Sequence, residues 1–251
     1  MAVGGALQRA QKIVAGRLHR KLAIRSLPRP IVTFTFDDFP RSAVTTGATV
    51  LNEFGARGTY FAALGLMGKT TPVGDMFRQP DLDAVLNAGH ELACHTYDHV
   101  LCSQISVDEL LRNCERNRER MAELLGGYRP VNFSFPEGVV TPLAKKRLSS
   151  VYKTCRTIEP GINADPIDLA FLRAYRVYSS SRIDALKRVI QANQRNKGWL
   201  CLYTHDISPE PSPWGCTPEQ FRAVVAFAAE SDAQLISVRE AADSLEAAVA
   251  A

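Results

Sequence analysis

No stretch of this chain approaches the ~20 consecutive apolar residues that span a bilayer, so no transmembrane helix can be placed. The six cysteines, Cys94, Cys102, Cys114, Cys155, Cys201 and Cys216, lack the paired spacing that holds zinc. Several stand inside apolar strand patterns, as buried free thiols do. The leading apolar run is too short and too interrupted by charge for a secretory signal. Reduced cysteines and a cytoplasmic protein are therefore expected, with a disulfide or two as the alternative. No Gly-x-Gly-x-x-Gly turn or phosphate-cradling loop follows any strand pattern, which lowers nucleotide-binding readings. The His-Glu-x-x-His protease pattern, internal repeats and low-complexity segments are also absent.

Acidic residues are missing from residues 1–30, where seven basic ones stand: Arg9, Lys12, Arg17, Arg20, Lys21, Arg25 and Arg29. The remaining 23 basic and 26 acidic side chains leave a net charge of −3, so the overall +4 belongs to the leader. Leu7, Ile13, Val14, Leu18 and Leu22 are spaced loosely like one helical face. A basic segment of this kind, helical or flexible, suits either weak contact with an anionic membrane surface or docking onto the domain. It lacks the interleaved aromatics of a nucleic-acid-binding segment, so no nucleic-acid partner is expected.

What is present from residue 31 to 251 is one domain-sized alternation of short apolar runs and helical stretches. A hydrophobic fraction of 46% over 251 residues suits a single sizeable core. Strands are predicted at 31–37, 58–64, 91–95, 132–135, 153–158, 174–178, 199–204 and 234–238. Helices are predicted at 41–54, 81–88, 106–125, 141–150 and 181–196, then from Thr217 and at the C-terminus. Asp81 reads as an N-cap, Ser106 with Glu109 as a capping box, and Gly55 and Gly89 as stops. Strand–helix repetition of this kind predicts an α/β fold with a parallel sheet. At this length a distorted (β/α) barrel of about seven parallel strands is the expectation.

The chemistry stands at strand ends. Ile31–Asp37 alternates Thr33, Thr35 and Asp37 with Val32, Phe34 and Phe36, and Asp38 begins the loop. Adjacent carboxylates there repel unless a cation or proton lies between them. Cys94-His95-Thr96-Tyr97-Asp98-His99 places two imidazoles four residues apart at another strand tip. With an aspartate they form a set suited to Zn²⁺ with open positions, and also to Fe²⁺, Co²⁺ or Mn²⁺. Leu200–His205 is a third strand with an imidazole at its end. In Phe133-Ser134-Phe135-Pro136-Glu137-Gly138, the proline and glycine bend the backbone and let it approach a ligand closely.

In order and rough spacing, Thr35-Phe36-Asp37-Asp38, His95-x-x-x-His99, the Phe-Pro-x-Gly turn and the Leu-x-x-His205 strand resemble the polysaccharide deacetylase family. This is the NodB-homology group, carbohydrate esterase family 4. The resemblance spans roughly residues 31–240 and implies a distorted (β/α) barrel. It implies that Asp38, His95 and His99 hold a divalent metal, zinc foremost. Asp37 would be the general base and His205 the general acid. Pro136, Glu137 and Gly138 would bind substrate and oxyanion. The implied reaction removes N-acetyl groups from an amino sugar, oligosaccharide or polysaccharide.

The sequence departs from the family at two places. Ser134 stands where many members carry an arginine that orients the base, with Arg173 as a candidate replacement. The partner that steadies the acid histidine is not evident, although Asp165 and Asp168 lie in about the right part of the chain. Two other readings stay open: a hydrolase of a non-sugar C–N bond, such as a cyclic ureide or acyl polyamine, and a non-catalytic glycan-binding relative.

Overall fold

The computed structural model describes residues 2–23 and 27–247, without the side chains of residues 2–7 and 246–247. Arg25 and the Leu7 side chain, both counted in the leader above, lie outside that description.

Seven short strands run parallel: β1 (Ile31–Asp37), β2 (Gly58–Ala62), β3 (Glu91–Cys94), β4 (Asn132–Ser134), β5 (Thr154–Arg156), β6 (Ala174–Arg176) and β7 (Trp199–Thr204). Their spatial order is β6-β7-β1-β2-β3-β4-β5. The circle nearly closes where Leu172 exchanges backbone hydrogen bonds with Cys155 and Thr157, bridging β5 towards β6. This is the distorted seven-stranded barrel expected from the sequence. Gln234–Leu235 adds a short parallel pairing below the start of β1.

Alternation in β1 divides its side chains as expected. Val32, Phe34 and Phe36 join the outer core beneath the helices, where Phe34 meets Phe221 edge-on at 5.7 Å and Phe36 stacks on Tyr60 at 4.6 Å. The opposite face supplies Thr33 and Thr35 to a largely apolar barrel interior holding Phe61, Trp199 and Tyr203. The two threonines hydrogen-bond within it. The Trp199 Nε1–H donates to Thr33 Oγ1 at 3.2 Å, and the Thr35 hydroxyl donates to the Leu202 carbonyl at 3.1 Å.

The helices are α1 (Ala2–Arg17), α2 (Thr49–Glu53), α3 (Gln79–Asn87), α4 (Val107–Leu124), α5 (Pro142–Leu148), α6 (Ile183–Asn196), α7 (Pro218–Ala229) and α8 (Val238–Ala247). Ser106 and Glu109 form the expected capping box on α4, and Thr217 caps α7 together with Gln220. Two expectations need correcting. The helix expected over 41–54 is helical as far as Glu53 but winds as a π-helix through Ala43–Ala48, with α-helical residues on both sides. Asp81 is not an N-cap: α3 starts two residues earlier, behind Arg78, whose backbone N–H donates to Asp81 Oδ2 at 2.7 Å. Pro80 fits that first turn, where a helix does not use its N–H groups.

All six cysteines are free and buried. Among the described residues no helix is long and apolar enough to cross a membrane. The leading helix α1 packs against α5, with Ala15 buried and Gly16 facing Phe171, rather than through the apolar face read from its sequence.

Candidate active site

The C-terminal ends of the strands surround a cavity of about 690 Å³ lined by Asp37, Asp38, His95, His99 and His205, among others. Backbone strain concentrates around it. Asp38, Phe39, Thr96, His99 and Glu137 are five of the seven non-glycine residues with positive φ among the described residues. Such conformations persist only where the surroundings fix them.

The surroundings do fix them. After β1 the chain turns through Asp38 (φ 58) and Phe39 (φ 68). The buried Phe39 ring stacks on Phe77 at 4.7 Å and tilts against Tyr60 at 5.0 Å, which pins the turn that carries Asp38. After β3 the chain reverses through Thr96 and returns His99. There Asn113 on α4 accepts the backbone N–H groups of Tyr97 at 2.6 Å and Asp98 at 3.1 Å. Nothing in the local sequence around Asn113 marks it for this role.

One ligand atom each from Asp38, His95 and His99 falls within 4.8 Å of the others. Asp38 Oδ1 lies 3.0 Å from His99 Nε2 and 3.5 Å from His95 Nε2. That oxygen is buried, yet takes no well-directed hydrogen bond. His95 Nδ1 contacts the Ser134 carbonyl at 2.8 Å. A carbonyl only accepts, so Nδ1 carries the proton and the Nε2 lone pair faces Asp38. Two imidazole nitrogens converging on an orphaned carboxylate oxygen make up a donor set that a divalent cation satisfies.

Electrostatics agree. Burial, assisted by the charges of His99 and Arg156, pushes His95 down to about 4 against the pull of Asp37 and Asp38, so it is neutral at pH 7. Burial would raise the Asp38 carboxyl. The adjacent His99 imidazole and the charges of His95, His99 and His205 outweigh it and hold the carboxyl far below the usual range. His99 itself would be lowered by burial, but its contact with Asp38 and the charges of Asp38, Glu137 and Asp37 raise it.

Asp37 is buried, and its Oδ1 accepts a hydrogen bond from Arg156 Nη2. The same Nη2 donates to Ser134 Oγ at 2.5 Å. Arg156 is fully buried on β5, its guanidinium lying 5.0 Å from the Phe61 ring centroid and 5.1 Å from that of Tyr203. Ser134 and Arg156 are register partners on β4 and β5. The guanidinium missing at position 134 is thus delivered from the neighbouring strand at the same level. Arg173 is not the replacement, because it donates to the Pro160 carbonyl instead. The signal in the sequence was a charge in the middle of the 153–158 strand pattern, well inside the Lys153 that opens it.

His205 Nε2 stands 4.0 Å from Asp38 Oδ2, across the cluster from the other two imidazoles. Its Nδ1 contacts the Trp214 carbonyl at 3.2 Å and therefore bears the proton. Ser212 donates twice to Asp206, at 2.5 and 2.8 Å, closing the turn that brings Trp214 back. Asp165 and Asp168 do not steady His205. Asp165 is exposed, and Asp168 is paired with Lys145 at 2.7 Å. At the Pro136–Gly138 turn, Glu137 (φ 53) lines the cavity. A Cβ on Gly138 would meet Ile158 Cγ1 at 2.2 Å, so only glycine fits there.

The family model for polysaccharide deacetylase matches residues 25–153. A probable peptidoglycan-N-acetylglucosamine deacetylase of Arthroderma benhamiae is 25% identical over 120 residues, 48% of this chain and 26% of that protein. The chain thus spans about a quarter of the length of that curated relative. Among solved structures, a Mycobacterium smegmatis protein assigned to the polysaccharide deacetylases superposes with a TM-score of 0.64 at 17% identity, covering 90% of this chain and 94% of the other. A family 4 acetyl xylan esterase from Clostridium thermocellum, solved with a cobalt ion, gives a TM-score of 0.57 at 18% identity, covering 84% and 89%. At these identities the superpositions speak for the fold. With the family model matching just over half of the chain, and the Asp-Asp and His-x-x-x-His motifs meeting in one cavity, this protein belongs to the polysaccharide deacetylase family.

Proposed function

We propose that the protein is a metal-dependent hydrolase that removes N-acetyl groups from an amino sugar or an N-acetylated glycan. The observation that carries this reading is a single cavity holding three convergent ligand atoms, a carboxylate fixed beside them and an imidazole facing them from the far side.

Asp38, His95 and His99 would hold the cation, zinc foremost among the divalent choices given two imidazoles and one carboxylate. When bound, it polarises the acetamide carbonyl and makes water acidic enough to be deprotonated near neutral pH. Asp37 is the general base. It takes the water proton as oxygen attacks the carbonyl carbon, and Arg156 holds its carboxylate in position for that transfer. The backbone N–H of Glu137, in the strained turn after Pro136, is the proposed donor to the developing oxyanion. His205 is the general acid. Its Nδ1–H is committed to the Trp214 carbonyl, so Nε2 exchanges the proton. Protonation of the nitrogen as the C–N bond breaks is required, because an amide anion is a very poor leaving group. Acetate and a free amine result. Trp214, 44% exposed at the rim, offers an apolar ring face to a sugar.

The test is acetate release from N-acetylglucosamine oligomers, with and without chelator, alongside cyclic ureides and acyl polyamines. Chelator-sensitive release from the oligomers is expected. Turnover confined to the non-sugar amides would replace the substrate class, and no hydrolysis by metal-loaded protein would remove the catalytic reading.

A further inference from the structure

The helix α1 is mounted on the domain with its apolar side outward. Along its described part, the side turned to the barrel carries Ala15 together with polar residues. Lys12 pairs with Glu159 at 2.7 Å, and Gln8 reaches Ser103 at 3.5 Å. The outward side carries Ile13 and Val14, 53% and 43% exposed, and Leu18 and Leu22 follow the helix at 47% and 42%. Lys145, fully buried on α5, clamps the helix by donating to the Ala15 and Leu18 carbonyls, both at 2.9 Å. Of the seven large apolar side chains exposed among the described residues, six belong to this region: these four, and Leu143 and Val151 on and just after α5. A helix held mainly by its polar side leaves its apolar stripe for something else to cover.

Charge selects the occupant. Arg9, Arg17 and Arg20 are exposed along the stripe, and residues 8–23 contain no acid. Arg20 approaches a carboxylate only at 3.9 Å, on Asp168. A second copy of the chain would set one arginine-bearing, acid-free face against another across a two-fold axis. An anionic lipid headgroup layer pairs with the arginines while the acyl boundary takes Ile13, Val14 and Leu18. We infer that α1 docks the protein onto anionic membrane surfaces. Lys12 is tied to Glu159, one residue from the cavity-lining Ile158, so the docked helix sits beside the cavity. This inference does not depend on the proposed chemistry.

Full-length protein is co-sedimented with vesicles of phosphatidylcholine alone and of phosphatidylcholine mixed with phosphatidylglycerol. Binding to the anionic vesicles should exceed binding to the neutral ones by at least ~10-fold and fall with added salt. Val14→Asp with Leu18→Asp should cost more than ~10-fold, since both remove apolar burial. Arg17→Gln, milder for folding, should cost about fivefold. Equal binding to both vesicles, no binding, or no effect of either variant would overturn the inference. So would a dimer in solution dissolved by the double variant, because a second copy would then be the cover.

Discussion

Arg156 on β5 holds Asp37 on β1 from across the barrel, its Nη2 shared between the Asp37 carboxylate and the Ser134 hydroxyl. A buried carboxylate stripped of its guanidinium would be left as an unpaired charge, a loss worth ~3–5 kcal/mol. Arg156→Ala should therefore destabilise the protein and lower turnover ~10²-fold, as a base displaced by about 1 Å does. Lysine lacks the planar fork and should rescue only in part. Moving the guanidinium back across the register, Ser134→Arg with Arg156→Ser, should recover most of the lost turnover. Bound metal should stay constant throughout, which separates positioning of the base from damage to the cation site.

Asp37 and His205 flank the ligand cluster with no shared duty. Asp37→Asn and His205→Ala should each lower kcat by at least ~10²-fold. Because one acts on the attacking water and the other on the leaving nitrogen, the double variant should lose clearly more than the worse single one. Steady-state acetate release at saturating substrate reads this. A double variant no worse than the worse single one would make the two groups act as one unit.

Gly138 and Gly126 share a left-handed backbone, at φ 63 and 58, but differ in their neighbours. A Cβ at 138 runs into Ile158, whereas nothing lies within 4 Å of one at 126. Gly126→Ala should cost only the conformational strain, about 1 kcal/mol. Gly138→Ala should add overpacking, for about 2–4 kcal/mol in total. Urea unfolding of the two variants checks the difference.

His90 lies at the opposite end of the barrel from the cavity and should set part of the acid response. Burial and the charge of Arg57, partly offset by Glu240, push its imidazole from 6.5 to about 4. Its Nδ1 accepts the Gly58 N–H at 3.1 Å, a role only the unprotonated nitrogen can play. The folded value is depressed, so the unfolded chain takes up a proton first as pH falls. The contribution is whole above about 6.5 and is lost progressively towards about 4, by on the order of 3 kcal/mol at most. Unfolding free energies of His90→Gln should be flatter than those of the native protein across that window. Parallel curves would contradict it.

The fold was legible wherever alternation and length acted together. Trp199–Thr204 stands where its apolar run ends, and β1 sends Thr33 and Thr35 inward as its pattern requires. The ligand set was legible because its residues end strands, and a parallel barrel gathers strand ends on one side. What the sequence hid depends on neighbours distant in the chain. The place of Arg156 follows from the register of β4 on β5, which no local pattern states. The partner of His205 is a backbone carbonyl, at Trp214, which carries no residue-type signature at all. The outward apolar stripe of α1 was visible as a stripe, but its direction was set by Lys145, which grips the far side.

Metal stoichiometry measured by elemental analysis on native protein, Asp37→Asn and His95→Ala tests the central claim most directly. The account predicts one divalent cation per chain, retained in Asp37→Asn and lost in His95→Ala. Loss in Asp37→Asn equal to that in His95→Ala would make Asp37 a ligand rather than the base, and no cation in the native protein after loading would contradict the site itself.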